Sequence, residues 1–596
     1  MKTEKDFSRL QKQFQIWFLR KLQKIDLPED FYMLFLAALI GIAAGFGTYA
    51  LNKFVDFVHH LSFDRALSLF DSNWGHYVWL ALIPGIGGLA VGLIIRWFAK
   101  ESKGHGVPSV IEAIANRGGF IRPRVSLLTV ITAGTTIGTG GSAGKEGPIV
   151  QIGAAIGSTV GQVFNVSSER LKVLVGAGAG AGLAAVFNAP VTGVLFALEV
   201  ILADFSINAF TPIMFATVIS TAISHSLLGG HPLLEAPVYY LESFYEYPIY
   251  VLMGIVGGVV AVFFTRFLYA SEDLFNKWRQ VPEFVKPALG GLLLGIIALK
   301  FPEMYGFDDS AIQNAIMNRP EIWMLFSLML LKILATTLTL GSGGSGGLFT
   351  PSLFIGATFG AFFGTLMNTL FPGLVASPGA YALVGMGIMI AGTTHATISA
   401  LLLIFEITHN YQIILPLMLG TIVATLTARL IMRENIYTMK IALSGEYIFK
   451  GRNMTLLQSI PITRHIQKDF TALSEDTPFT KVLQLIKESN YSSFPVLDKN
   501  KRLVGVVRMR DIRPYMFDRH LYPLLITKDI AEQDYITVHP DQSLADVLRT
   551  FDLTDAEFLP VTERRDPGKL LGVIYRDQLM RWYRKAPLLQ SEVEQQ

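Results

Sequence analysis

The chain has 596 residues, of which 51% are hydrophobic and only 16% charged, against about a quarter charged in ordinary soluble domains. With a mean hydropathy of +0.43, that deficit points to a membrane protein, and a net charge of only +3 gives no footing for nucleic acid as a partner. The absence of cysteine excludes disulfides, thiolate chemistry and Cys-ligated zinc or iron–sulfur sites.

The N-terminal stretch MKTEKDFSRLQKQFQIWFLRKLQK is basic but lacks a short apolar core followed by a cleavage site, so it reads as a retained segment and not a signal peptide. Its Lys and Arg residues precede the first apolar run, Phe31–Leu51, which predicts a cytoplasmic N-terminus. Further runs at Tyr77–Phe98, Ile207–Leu228, Ile249–Leu268 and Trp323–Leu340 approach the ~20 residues that span a bilayer. Pro148–Val163 and Leu171–Phe187 are shorter and interrupted by Gly or Pro. Broken backbone at membrane depth survives only where protein or a watery cavity covers it, so these segments predict a site between half-helices, the pattern of transporters. The 54 glycines suit close helix contact in lipid.

The chain also repeats. Gly141-Ser142-Ala143-Gly144, Pro148, Ile152-Gly153-Ala154 and Gly157 recur 203 positions later as Gly344-Ser345-Gly346-Gly347, Pro351, Ile355-Gly356-Ala357 and Gly360. Ala189-Pro190…Leu198-Glu199 is echoed by Ala396-Thr397…Phe405-Glu406, 207 positions on. Two motifs in the same order at nearly one offset imply two halves of about 200 residues each.

After about Tyr437 charge becomes frequent, and strand-like runs alternate with helical ones. Asp469–Tyr515 and Asp534–Tyr583 form a smaller repeat, each with a helix (Phe479–Ser489, Leu544–Leu553) and a Pro-containing strand (Ser493–Leu497, Glu557–Val561). A Gly-Val strand then leads to Asp511 or Asp577. The predicted class is therefore an all-α polytopic membrane domain of two repeats, followed by a small soluble α/β tandem.

The stretch GSAGKEGPIVQIGA places Lys145 and Glu146 in apolar company. It fails as a phosphate loop, because Thr139 stands where the first Gly is required and Glu146 where Ser or Thr must hold magnesium. It suits the start of a half-helix, with glycines for the turn and Pro148 in the first turn. Unpaired N–H groups and the positive end of the dipole there make an anion site. The matching GSGGLFTPSLFIGA offers a second such start. Taken alone, Glu146 also suits an ion pair with Lys145, and Tyr437 a tyrosine of the interfacial belt.

Gly144-Lys145-Glu146-Gly147-Pro148 resembles the G-[KR]-E-G-P signature of the CLC chloride channels and anion/proton exchangers, and Gly347-Leu348-Phe349-Thr350-Pro351 resembles their G-x-F-x-P. Gly104-His105-Gly106-Val107-Pro108 is similar to their G-S-G-I-P, with His for Ser and Val for Ile. Phe187-Asn188-Ala189-Pro190 and Tyr437 fall in the same order, and the soluble tandem resembles a pair of CBS modules. The resemblance covers nearly the whole chain. It implies an N-terminal segment (1–30), a CLC-like membrane domain (31–440), a linker (441–460) and two CBS modules (461–522 and 526–590).

The family pattern further implies a homodimer with one pore per subunit, in the cell (inner) membrane with the CBS modules cytoplasmic. Glu146 takes the part of the gate: deprotonated it occupies an anion site, and protonated or displaced it opens the path. Chloride or another small anion is ligated around His105, Gly106, Lys145, Glu146, Gly147, Leu348 and Phe349, and by the Tyr437 hydroxyl. Exchangers of the family carry a second glutamate directly after the one matching Glu199; here that position is Val200, which cannot relay a proton, and this favours passive conduction. Glu406 receives no role beyond a structural one. His105 adds bulk and, on protonation near pH ~6.5, charge, which predicts altered selectivity or pH sensitivity. No cofactor is required; adenine nucleotide at the CBS modules would use Asp511 and Asp577, although Arg508 replaces the usual hydroxyl residue and Asp577 comes one position early. The alternatives are a chloride/proton antiporter of the same fold and, remotely, a membrane-anchored CBS sensor without ion flux. No nucleophile–base pair, H-E-x-x-H or intact phosphate loop supports an enzyme.

Overall fold

A computed structural model describes residues 29–65, 73–98, 106–229, 234, 237, 239–306, 310–317, 321–443, 461–489, 491, 493–516, 520–554, 556–564 and 566–579. The N-terminal segment up to residue 28, His105 and most of the expected linker lie outside them. The chain divides into two compact units, Met1–Ile448 and Phe449–Gln596.

In the first unit α1 (Glu29–His59) runs into a π turn at His60–Arg65 and is followed by α2 (Asn73–Trp97), α3 (Val107–Asn116), α4 (Arg124–Gly138), α5 (Glu146–Val163) and α6 (Ser168–Phe187). Next come α7 (Pro190–Phe196, continued by a π turn Ala197–Leu202), α8 (Ile207–Leu228), α9 (Glu246–Lys277), α10 (Lys286–Ala298) and α11 (Ser310–Met317). The unit closes with α12 (Ile322–Gly341), α13 (Phe349–Leu370), α14 (Pro378–Thr394), α15 (Thr397–Thr408), α16 (Ile414–Ile431) and α17 (Thr438–Leu443). Eight of the described helices are long and apolar enough to cross a membrane.

Large apolar side chains face outward as well as into the core. Phe46, Val218, Ile255, Val259 and Leu426 are exposed on the outer helices, as lipid-facing positions are in a protein that need not hide apolar surface. Inside, glycine brings backbones into contact. A Cβ on Gly153 would overlap the Gly178 carbonyl and one on Gly157 the Leu174 carbonyl, which locks α5 onto α6. The same positions 203 residues on, Gly356 and Gly360, meet Gly385 and Tyr381, locking α13 onto α14. The sequence repeat is thus a repeat of helix packing.

The second unit pairs short strands with helices. β1 (Leu473–Ser474), α18 (Phe479–Glu488), β2 (Ser493–Leu497), β3 (Leu503–Arg508) and α19 (Met509–Ile512) form its first half. β2 is central, parallel to β1 and antiparallel to β3. Pro495, which cannot donate to a ladder, pairs only with Val506 because β1 is aligned with Val496 and Leu497. The second half has α20 (Thr527–Ile530), α21 (Leu544–Thr554), β4 (Phe558–Glu563) and β5 (Asp566–Tyr575), with Pro560 opposite Val573. β5 starts earlier than the expected Leu570, since irregular pairing at Thr562 and Glu563 lets the ladder continue to Asp566.

Candidate functional site

The two glycine-rich loops meet. Gly144 N–H donates to the Gly347 carbonyl at 2.9 Å, and Gly347 N–H donates back to Gly144 at 2.7 Å. The exchange extends to the preceding helices: Ser142 N–H donates to Thr339 Oγ1 (3.1 Å) and Ser345 N–H to Thr136 Oγ1 (3.2 Å). Reciprocal contacts of this kind are what a two-fold relation between the halves produces. Each loop turns through a glycine in the left-handed region, Gly140 at φ 88° and Gly343 at φ 109°.

These loops launch α5 and α13 from one place. Glu146, the first residue of α5, is only 3% exposed. Its carboxylate accepts a short hydrogen bond from the Thr350 hydroxyl and one from Thr350 N–H at 3.5 Å. The charge therefore sits on the N-terminus of the other repeat's helix, where unpaired N–H groups and the dipole favour an anion. Glycine makes the room: a Cβ on Gly144 would overlap the carboxylate, and one on Gly347 would lie 2.6 Å from Gly147 N. Gly106, at φ 76° before α3, lies against the Gly147 carbonyl with equally little space. Lys145 makes no ion pair among the described residues, so local pairing of the two neighbours does not hold Glu146.

On one side of Glu146 lies a cavity of about 290 Å³ lined by Asn52, Asp56, Lys145, Asn188 and Thr350 among others. Against Phe349 pack three aromatic rings, Phe196 at 5.4 Å, Phe187 at 6.2 Å and Tyr437 at 6.4 Å between centroids. Leu348, buried at the N-cap of α13, and Asn188, in the left-handed conformation after Phe187, set the approach of these segments. Tyr437 is buried and placed by its N–H on Asn435 Oδ1 (3.0 Å) and by Tyr269, whose hydroxyl donates to the Ile436 carbonyl at 2.6 Å. The Tyr437 hydroxyl has no hydrogen-bond partner among the described residues. An anion held only by helix N-termini and a hydroxyl, without a fixed cation, would be bound weakly enough for release.

Glu199 and Glu406 exchange places between the repeats. Glu199 accepts from Ile398 N–H (3.3 Å), Ser399 N–H (2.8 Å) and the Ser399 hydroxyl (2.7 Å) at the start of α15. Glu406 accepts from Val191 N–H (3.0 Å), Thr192 N–H (2.7 Å) and the Thr192 hydroxyl (2.5 Å) at the start of α7. Both are helix caps, and Val200 beside Glu199 is half-buried against the core. Glu406→Ala, leaving these donors unpaired, is expected to cost about 2 kcal/mol of stability, seen as a lowered thermal midpoint in detergent, with Glu406→Gln losing less.

In the second unit Asp511 accepts from the Arg508 N–H at 3.0 Å and caps α19. Arg508 Nη1 pairs with Glu532 at 3.0 Å, and Arg510 joins the same carboxylate at 2.7 Å. Both arginines and Glu532 line a cavity of about 250 Å³ with Tyr535, whose phenol is raised above its ordinary value by burial. Asp511 and Asp577, the latter two residues past β5, are not among the residues that line it.

Thr350, Phe196 and the two reciprocal caps were not singled out from sequence. Thr350 stands inside the Gly347–Pro351 motif, and a hydroxyl at a helix start was the available signal.

A family model described as voltage gated chloride channel matches residues 87–429, and one described as CBS domain matches residues 462–518 and 527–585. The chain is 29% identical to "Chloride channel protein CLC-f" of Arabidopsis thaliana, over 94% of this chain and 81% of that protein. It is 33% identical to "H(+)/Cl(-) exchange transporter ClcA" of Vibrio vulnificus, over 68% of this chain and 88% of that protein. Among solved structures, a slow cyanobacterial Cl-/H+ antiporter superposes with a TM-score of 0.63 at 25% identity, covering 70% of this chain and 98% of that one.

Proposed function

The chain belongs to the voltage-gated chloride channel family, and from that membership we propose that it is an anion channel, conducting chloride passively through a pore gated by Glu146. It is a multi-pass integral membrane protein and an anion transporter of that family. The observation that carries the gate is the Glu146 carboxylate on the N-terminus of α13, held by Thr350. A tethered carboxylate in an anion's own place competes with the anion, and protonation removes the charge that holds it there. In this reading the backbone at Gly106, Gly147, Leu348 and Phe349 and the Tyr437 hydroxyl ligate the passing anion. Lys145 lines the mouth; the anion-binding part expected of His105 lies outside the described residues.

Passive conduction rests on Val200, which offers no proton acceptor, and on Glu199, whose carboxylate is committed to the α15 cap. The antiporter reading is favoured by relatives that are named exchangers, ClcA among them. We take the assembly to be a homodimer with one pore per subunit in the cell membrane, opened by voltage or pH, with the N-terminus and CBS modules cytoplasmic. The Arg508–Glu532 pair and the capping role of Asp511 favour a structural over a nucleotide-binding part for the CBS modules, and the protein needs no cofactor. Reconstituted in liposomes, the protein is expected to release trapped chloride faster than protein-free vesicles do; equal rates would overturn anion transport and leave only a membrane-anchored CBS sensor.

A further inference from the structure

Away from the pore, a cavity of about 610 Å³ opens between the ends of α2, α9 and α12, the start of α10, and α17. Its charged lining is Arg96, Lys286, Lys440, Glu272 and Glu283. Lys440 is paired with Glu272 at 3.1 Å, and the Arg96 guanidinium lies over the Phe284 ring at 4.7 Å. Lys286 differs from both. It is only 6% exposed, and no hydrogen bond or ion pair reaches its side chain from the described residues. Glu283 shares the wall and Glu272 is already paired with Lys440, so the Lys286 side chain, unpaired among the described residues, is open to an anion that enters the cavity.

Two further features say what kind. Lys286 is the first residue of α10, a helix of 13 residues, so the positive end of that helix dipole faces the same space. Around the charges the wall is apolar, with Ile95, Phe284, Pro287 and Leu340. Just outside, Trp97 (68% exposed), Phe98 (66%) and Trp278 (48%) stand at the ends of α2 and α9, and exposed aromatic rings of this kind mark the headgroup level of a bilayer. We propose that this cavity binds a phosphate group carried by an anionic lipid of the phosphatidylglycerol type. Lys286 and Arg96 donate to the phosphate oxygens, and the glycerol backbone lies on the apolar wall.

The site adjoins the pore machinery in the chain: Gly343 in its wall immediately precedes the glycine loop, and Lys440 follows Tyr437 by three residues.

The full-length protein in a neutral detergent, titrated with dihexanoylphosphatidylglycerol, dihexanoylphosphatidylcholine or inorganic phosphate while its thermal midpoint is followed, tests this. Phosphatidylglycerol is expected to raise the midpoint saturably and phosphatidylcholine to leave it unchanged. Lys286→Met and the exposed Arg96→Met are each expected to weaken the half-saturating concentration at least about tenfold, the value of one charge-assisted hydrogen bond. A Lys286-dependent rise with inorganic phosphate keeps the phosphate site and assigns it to a soluble source. No rise with phosphatidylglycerol, or the same response in wild type and both variants, overturns the proposal.

Discussion

Glu146→Ala is expected to raise chloride efflux from proteoliposomes at neutral pH at least about tenfold and to abolish its dependence on pH. Two donors on one residue, the Thr350 hydroxyl and N–H, help hold the carboxylate in place. Hydrogen bonds to a charged acceptor contribute about 1.5–3 kcal/mol each, so removing the acceptor shifts the balance between blocked and open by one order of magnitude or more. In the wild type, efflux rises as pH falls, because a protonated carboxyl no longer competes as an anion. Alanine has nothing to protonate, so its profile is flat. Efflux measured from pH 4.5 to 8 in both proteins checks this, and an unchanged pH profile in the variant would remove Glu146 from gating.

The second large effect belongs to Thr350. Thr350→Val keeps the shape and the backbone N–H but deletes the hydroxyl that donates to Glu146. Losing that one bond to a charged group is expected to raise neutral-pH efflux by roughly tenfold. The decisive readout is the cycle with Glu146→Ala. If Thr350 acts on the gate, valine adds nothing once the carboxylate is gone. If Thr350 lines the path independently, the two effects multiply.

The legible part of this molecule was what recurs. Gly144 and Gly347 stand at one offset in the sequence, and the structure joins them by two hydrogen bonds; Gly153 and Gly356 share that offset and the same helix contact. Repetition exposes local geometry, because the same turn and the same close approach need glycine in both halves. What repetition does not show is which half serves the other. Glu199 and Glu406 were recognisable as an echo, yet each caps a helix of the opposite repeat, and no spacing along the chain encodes that exchange. For the same reason Glu146 looked like a residue of its own helix N-terminus, whereas its carboxylate rests on Thr350, 204 residues away. Lys286 was hidden for another reason: a lysine beside Pro287 reads as the polar end of an apolar run, and only packing of α2, α9 and α12 around it places it in a cavity wall. In the second unit the Pro and Gly-Val strands fell where alternation placed them, but the early start of β5 depends on irregular pairing that composition does not mark.

The central claim is that chloride passes without protons, since Val200 stands where a relay carboxylate would be and Glu199 is tied to α15. The most direct measurement records internal pH with a trapped dye in proteoliposomes while a chloride gradient runs at a potassium-clamped potential. The account predicts chloride efflux with internal pH unchanged relative to protein-free vesicles. Proton movement in a fixed ratio to chloride, driven uphill by the chloride gradient, would contradict it and make the protein an exchanger.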